Sequence, residues 1–277
     1  YQPYTGQVSC LQADPGHFVE LSGEDDQQEC QAGEYQPSMG QQNCINADPG
    51  FYVDSEMSTS QNPCPVGTYN PEESATSQSD CLESDEGHYV SSPGSSGQTP
   101  CSPGSYQNQT RQISCISSEP GHYVLSEGSN EQNPCLSGTY QPSPGQTTCL
   151  DTGPGFFTSS EASVSQEECL QGTYQPSSGQ STCIDADPGF FVSEKGQAQQ
   201  VPAPFDQFVT SARSIATESC PEDMITLQES STSVDDCLLD SDGDRLHDEV
   251  DLDDDGDGIN DIVDGCTLGL VGWTSTV

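Results

Sequence analysis

The chain has 277 residues, only 30% of them hydrophobic even with 14 cysteines counted, so it cannot assemble a core of ordinary globular size and must rely on crosslinks. Four lysines and arginines against 45 aspartates and glutamates give a formal charge of −41, which sets nucleic acid and anionic lipid surfaces aside as partners. No apolar run reaches the roughly 18 residues of a membrane span, and cysteines at this density imply an oxidising, extracellular or cell-surface setting.

The sequence is written as a repeat. It begins at Tyr1 in the middle of a copy, without an initiator Met or signal peptide, and reads as a processed form or a fragment. The first copy is a half, YQPYTGQVSC, ending at Cys10. Full copies open at Cys30, Cys64, Cys101, Cys135 and Cys169 and close at Cys44, Cys81, Cys115, Cys149 and Cys183. The step from Cys30 to Cys64 is the period, and it is lengthened once, where the Cys64–Cys81 loop carries three extra positions. From each closing cysteine to the next opening one is 20 residues. The variable length inside Cys64–Cys81 favours rings closed over the short spacing, Cys30–Cys44, Cys64–Cys81, Cys101–Cys115, Cys135–Cys149 and Cys169–Cys183. Pairing across the longer gap between copies is the competing register, and sequence alone leaves connectivity open.

Within each ring a Gly precedes a Tyr by two: Gly33 and Tyr35, Gly67 and Tyr69, Gly104 and Tyr106, Gly138 and Tyr140, Gly172 and Tyr174. Pro37, Pro71, Pro142 and Pro176 then fix a turn, so hairpins with very short strands are expected. An Asp-Pro-Gly turn or a variant follows the ring, and then a ring pair, as in His17-Phe18, Phe51-Tyr52, His88-Tyr89, His122-Tyr123, Phe156-Phe157 and Phe190-Phe191. Phe fills the slot of His17, His88 and His122 in other copies, so an aromatic surface is wanted there and not an imidazole proton. The fold class expected is small disulfide-rich repeats, mostly irregular with short β-hairpins, stacked as an elongated tandem-repeat rod over residues 1–193. Asn108-Gln109-Thr110 is a glycosylation sequon.

The pattern C-x-x-G-T-Y-x-P-x-x-G-x-x-x-C resembles the cysteine-rich modules of ephrin-receptor ectodomains, and more closely their long serial form in microbial surface proteins. The animal modules carry a further cysteine shortly after the ring; an Asp-Pro-Gly turn stands there in this chain, so the resemblance implies one disulfide per copy. It also implies an extracellular stalk or binding surface without enzymatic activity.

After Phe191 the rhythm fails. Pro202 and Pro204 suggest a linker over 194–219, and Phe205, Phe208, Val209, Ala212, Ile215 and Ala216 fall at helical spacing, which predicts a short amphipathic helix. Residues 220–239 are a worn copy of the repeat with the natural pair Cys220–Cys237, spaced as Cys64 and Cys81 are. They run into 240–266, where 11 Asp and one Glu face one Arg between Asp240 and Asp264. Asp240, Asp242, Asp244, Asp248 and Asp251 take positions 1, 3, 5, 9 and 12 of a loop, and Asp253, Asp255, Asp257, Asp261 and Asp264 take the same positions of a second loop directly after it. With the carbonyls of Leu246 and Ile259 at position 7, each loop offers a shell of hard oxygens suited to Ca²⁺. Gly258 stands at position 6 of the second loop, where a sharp turn is needed, and Arg245 at that position of the first. The tandem step from Asp240 to Asp253 resembles that of thrombospondin type 3 calcium repeats.

The tail, 267–277, is the most apolar stretch and reads as a strand folding back or the start of a further domain. Six rings consume 12 cysteines and leave Cys10 and Cys266. Cys10 of one molecule and Cys266 of the next are candidates for an intersubunit bond, which would make a head-to-tail homopolymer. Alternatively Cys10 lost its partner by cleavage, or Cys266 pairs with Cys237. The functional expectation is therefore a calcium-stiffened extracellular filament protein. The alternative is a monomeric stalk, adhesin or ligand-binding ectodomain fragment that meets cell-surface glycans or proteins. No motif for an enzyme is present in the sequence.

Overall fold

The computed structural model describes residues 1–6, 8–256 and 258–262. Among them the backbone is almost wholly irregular, punctuated by thirteen two-stranded antiparallel hairpins and two single 3-10 turns, Gln78–Asp80 and Val234–Asp236. The hairpins open at His17, Glu34, Phe51, Thr68, His88, Ser105, His122, Thr139, Phe156, Thr173, Phe190, Gln207 and Met224, an even step lengthened once, after Thr68. The sequence repeat is therefore two hairpins of one design. The first compact unit comprises residues 1–134 and 141–149, the second 135–140 and the chain from 150 on.

The two halves of a repeat differ in how the hairpin is closed. In one half a disulfide closes it: Cys30–Cys44, Cys64–Cys81, Cys101–Cys115, Cys169–Cys183 and Cys220–Cys237 bring their Cα atoms to 5.7–5.8 Å. Cys135 and Cys149 are each disulfide-bonded as well. In the other half a carboxylate and a glutamine take the place of the sulfurs, except at the Phe156 hairpin, where Gly153 N–H alone bonds Gln166 Oε1 (2.8 Å). Gln61 Oε1 accepts from the Asp48 backbone N–H (2.8 Å) while its Nε2 donates to Asp48 Oδ2 (2.7 Å). The same two-way clasp joins Asp14 to Gln27, Asp85 to Gln98, Glu119 to Gln132 and Asp187 to Gln200.

Within each unit, neighbouring hairpins are tied by recurring backbone hydrogen bonds. In the first unit Gly33 N–H donates to Val53 O (2.8 Å), Gly50 to Asn70 O (2.7 Å) and Gly67 to Val90 O (2.8 Å), while Cys64 N–H returns to Gly50 O (2.8 Å). The second unit repeats this with Gly155 to Gln175 O (2.7 Å), Gly172 to Val192 O (2.9 Å) and Cys169 N–H to Gly155 O (2.9 Å). Because these amides bond to carbonyls of neighbouring hairpins, a chain with few apolar residues still satisfies its buried peptide groups. What is buried is a column of small side chains, one at the opening of each of the first twelve hairpins. Ala13, Cys30, Ala47, Cys64, Ser84, Cys101 and Ser118 form it in the first compact unit, and Cys135, Thr152, Cys169, Ala186 and Ala203 in the second, all at 2% exposure or less. Beside it runs a second column that alternates between glutamine or asparagine and an aliphatic: Gln36, Val53, Asn70, Val90, Gln107 and Val124 are all buried. The buried glutamines hold the tips of the disulfide hairpins: Gln36 Nε2 donates to Asn43 O (2.8 Å) and its Oε1 accepts from Ser38 N–H (3.1 Å).

The predicted linker and helix over 194–219 are replaced by the same hairpin series. Phe190–Phe191 pairs with Val201–Pro202, and Gln207–Phe208 pairs with Glu218–Ser219. Ala203 and Thr217 stand where a ring has its cysteines, so this is a ring without a disulfide. The helical spacing of apolar residues misleads for a definite reason. Phe208 and Val209 are consecutive and both buried, whereas Phe205 and Ile215, which a helix would have turned inward, are about half exposed. Asp206 has φ +64°, which breaks any helical run at its start.

Candidate metal centre

The last hairpin, Met224–Thr226 with Cys237–Leu239, delivers the chain straight into the acidic loops. Asp240 N–H donates to Asp223 O (2.8 Å), the rung that in earlier hairpins runs from the opening residue to the preceding turn, as from Ser84 to Gly67 (3.0 Å). Asp240 therefore occupies the next place in the buried column, at 4% exposure, and begins the first loop from there.

The two consecutive loops share one geometry. Ser241 N–H donates to Asp248 Oδ1 (2.9 Å) and Asp254 N–H to Asp261 Oδ1 (3.1 Å). Arg245 N–H reaches Asp240 Oδ2 (3.3 Å) and Gly258 N–H reaches Asp253 Oδ2 (2.8 Å). Asp248 N–H bonds Leu239 O and Asp261 N–H bonds Leu252 O, both at 2.9 Å. Position 12 of the first loop starts the second, for Asp251 Oδ1 accepts from Leu252 N–H (2.6 Å) and Asp253 N–H (3.1 Å).

Asp240, Asp242 and Asp244 each bring a carboxylate oxygen within 4.8 Å of the others. Two charges at such a distance repel by about 1 kcal/mol in bulk water and about 3 kcal/mol at an effective dielectric near 20, so the cluster carries a standing electrostatic cost. Loss of hydration, then the charges of Asp261, Asp248 and Asp251, push the Asp254 carboxyl above the ordinary range. Asp253 Oδ1 and Asp254 Oδ1 are buried and have no hydrogen-bond partner among the described residues. An orphaned carboxylate oxygen at position 1 of the second loop, beside an all-oxygen donor set, fits a hard divalent cation.

Of the remaining expected ligands, Asp255 and Ile259 are half-buried and Leu246 is exposed, its N–H bonded to Asp244 Oδ1 (2.7 Å). Asp257, Asp264, Cys266 and the tail 267–277 lie outside the described residues. Cys10 is exposed and is the free cysteine among the described residues. Cys237 is bonded to Cys220 and so does not pair with Cys266. Asn108 is exposed at a hairpin tip. His17, His88 and His122 are half-buried on separate hairpins, each with its Nδ1 3.1–3.3 Å from the carbonyl two residues before it. Sequence reasoning missed the side chain of Arg245. It reaches back to Asp206 Oδ2 (2.9 Å) and lies 5.9 Å from the centre of the Phe205 ring. In sequence it is only an ill-fitting residue at a glycine position, and a lone arginine in an acidic run does not say what it touches.

These features define a class: tandem disulfide hairpins of the kind typical of extracellular proteins, followed by acidic loops. The model of the family described as tyrosine-protein kinase ephrin type A/B receptor-like matches residues 121–169, a stretch that holds the His122, Thr139 and Phe156 hairpins. A search of curated proteins finds no match to the chain. No helix among the described residues is long and apolar enough to cross a membrane.

Proposed function

We propose that the chain is an extracellular structural protein whose disulfide hairpins are extended by calcium-binding loops similar to thrombospondin type 3 repeats, and whose copies join head to tail through Cys10. The observation that carries this reading is the state of the cysteines: ten close hairpins, Cys135 and Cys149 are disulfide-bonded as well, and Cys10 is free and exposed among the described residues. Its partner in the next copy is Cys266. The role is mechanical and adhesive, without catalysis, and the exposed Asn108 carries a glycan. The competing reading is a monomeric stalk that presents a surface to cell-surface glycans or proteins.

On a non-reducing gel, wild-type protein is expected to run as a ladder that collapses to one band with reductant, and Cys10→Ser as one band in both lanes. A single wild-type band without reductant would favour the stalk. The calcium loops are tested separately by limited proteolysis. With millimolar Ca²⁺, the range typical of extracellular modules, residues 238–262 are expected to resist cleavage, and after chelation to be cut at least several-fold faster. Equal rates in both conditions would remove calcium from the reading.

A further inference from the structure

The Gln207–Phe208/Glu218–Ser219 hairpin has neither a disulfide nor a clasp glutamine, whereas the Phe156 hairpin, which lacks the clasp carboxylate, still bonds Gly153 N–H to Gln166 Oε1 (2.8 Å). Its opening residue is Ala203 where a disulfide hairpin has cysteine, and Thr217 stands where the closing cysteine would be. Pro204 takes the place of the clasp carboxylate, and Thr217 bonds Gln207 instead. The turn residue is Asp206, in the left-handed region with φ +64°, where the preceding hairpins carry glycine.

Arg245 lands on this turn. Its guanidinium bonds Asp206 Oδ2 (2.9 Å) and lies 5.9 Å from the centre of the Phe205 ring. Asp206 is also tied to the last hairpin, its N–H donating to Thr226 Oγ1 (2.9 Å) and its Oδ1 accepting from Thr226 N–H (3.3 Å). Arg245 itself is held at φ +74°, a conformation glycine adopts without cost, and its N–H is bonded to Asp240 Oδ2 (3.3 Å). What sets Arg245 apart from other non-glycine residues in this conformation, such as Met57 and Ala162, is the contact its side chain makes. The backbone of Arg245 belongs to the first acidic loop and its side chain to the unclosed hairpin.

We propose that Arg245 is a strut through which a divalent cation in the first loop secures the Gln207 hairpin. The inference rests on the calcium reading of residues 240–251. When the cation draws the carboxylates of Asp240, Asp242 and Asp244 together, the turn that carries Arg245 is fixed, and its guanidinium holds the Phe205-Asp206 turn in place of a disulfide or clasp. Without the cation the mutually repelling carboxylates loosen that turn, and the hairpin frays first.

The test is amide hydrogen exchange on the full chain with Ca²⁺ and with chelator, alongside calcium titration calorimetry. The amides of 206–209 and 218–220 are expected to exchange about fivefold more slowly with Ca²⁺ in the wild type. Asp206→Asn keeps the Oδ1 acceptor and lies outside the cation site. It is expected to lose the exchange difference at 206–209 and 218–220 while still binding Ca²⁺, at most about fivefold more weakly, since a contact that the cation strengthens strengthens the cation's binding in turn. Arg245→Gly, which gives the first loop its turn glycine, is expected to bind Ca²⁺ at least as tightly and also to lose the difference. Calcium binding without any change at 206–220 in the wild type overturns the strut and leaves the metal reading intact, as does a calcium-dependent change that survives both substitutions. Absence of calcium binding in the wild type overturns both.

Discussion

Replacing Gly104 with alanine is expected to cost about 2–5 kcal/mol and to unfold the surrounding hairpins locally. Gly104 has φ +87°, and a Cβ built on it would lie 2.3 Å from the carbonyl oxygen of Gly145, in the tip of the hairpin two places further on. The left-handed conformation alone costs an alanine about 1–2 kcal/mol, and displacing a rigid backbone carbonyl adds about 1–3 kcal/mol. The carbonyl cannot withdraw freely, because Gly145 N–H is bonded to Ser118 O (2.9 Å). Gly97, whose added Cβ would meet nothing within 4 Å, is the control: its alanine variant is expected to be within about 0.5 kcal/mol of wild type. Hydrogen exchange over 87–130 measures both. Equal protection in the two variants would show that the close approach at Gly104 does not hold the stack.

The second large effect separates the two kinds of closure. Cys64→Ser with Cys81→Ser is expected to cost about 2–4 kcal/mol, since it frees a loop of sequence separation 17 and places a hydroxyl in a slot that is fully buried. Gln61→Ala removes the clasp to Asp48 from the adjoining hairpin and is expected to cost about 0.5–1.5 kcal/mol, the range for a typical intramolecular hydrogen bond. Because a repeat array does not unfold in one step, the comparison is made by exchange at residues 51–69 and not from a single melting temperature. A clasp variant as damaging as the cysteine pair would mean that the disulfide contributes little beyond its buried surface.

How much of this is legible in the sequence depends on what marks each position. The rings announce themselves because cysteine is scarce elsewhere, and the acidic loops because aspartate recurs there at alternate positions. The division of the repeat into two hairpins is hidden because one closure is a disulfide and the other is Asp48 with Gln61, residues that look like ordinary surface. The signal is present in Gly33-Glu34-Tyr35 and Gly50-Phe51-Tyr52, a glycine and two strand residues that recur at half the period. The cysteine-free hairpin at Gln207 imitates a helix for the same reason: without its cysteines nothing marks Ala203 as a member of the buried column. Arg245 is legible as a charge and illegible as a contact, because its partners Phe205 and Asp206 lie more than a full repeat earlier in the chain.

The alternation of closures also bears on how the molecule acquires its crosslinks. In a nascent chain Cys44 has a native partner, Cys30, at a separation of 14 and a wrong one, Cys64, slightly further off. Loop entropy separates those choices by only about 0.3 kcal/mol, too little to prevent scrambling. The hairpin between them, closed without sulfur by Asp48 and Gln61, can form before any thiol is oxidised. Once folded it holds Cys44 and Cys64 at its two ends, and the exchange that would join them has to undo it first. Each thiol pair is thereby insulated from the next, so oxidation can proceed ring by ring along an emerging chain of any number of copies.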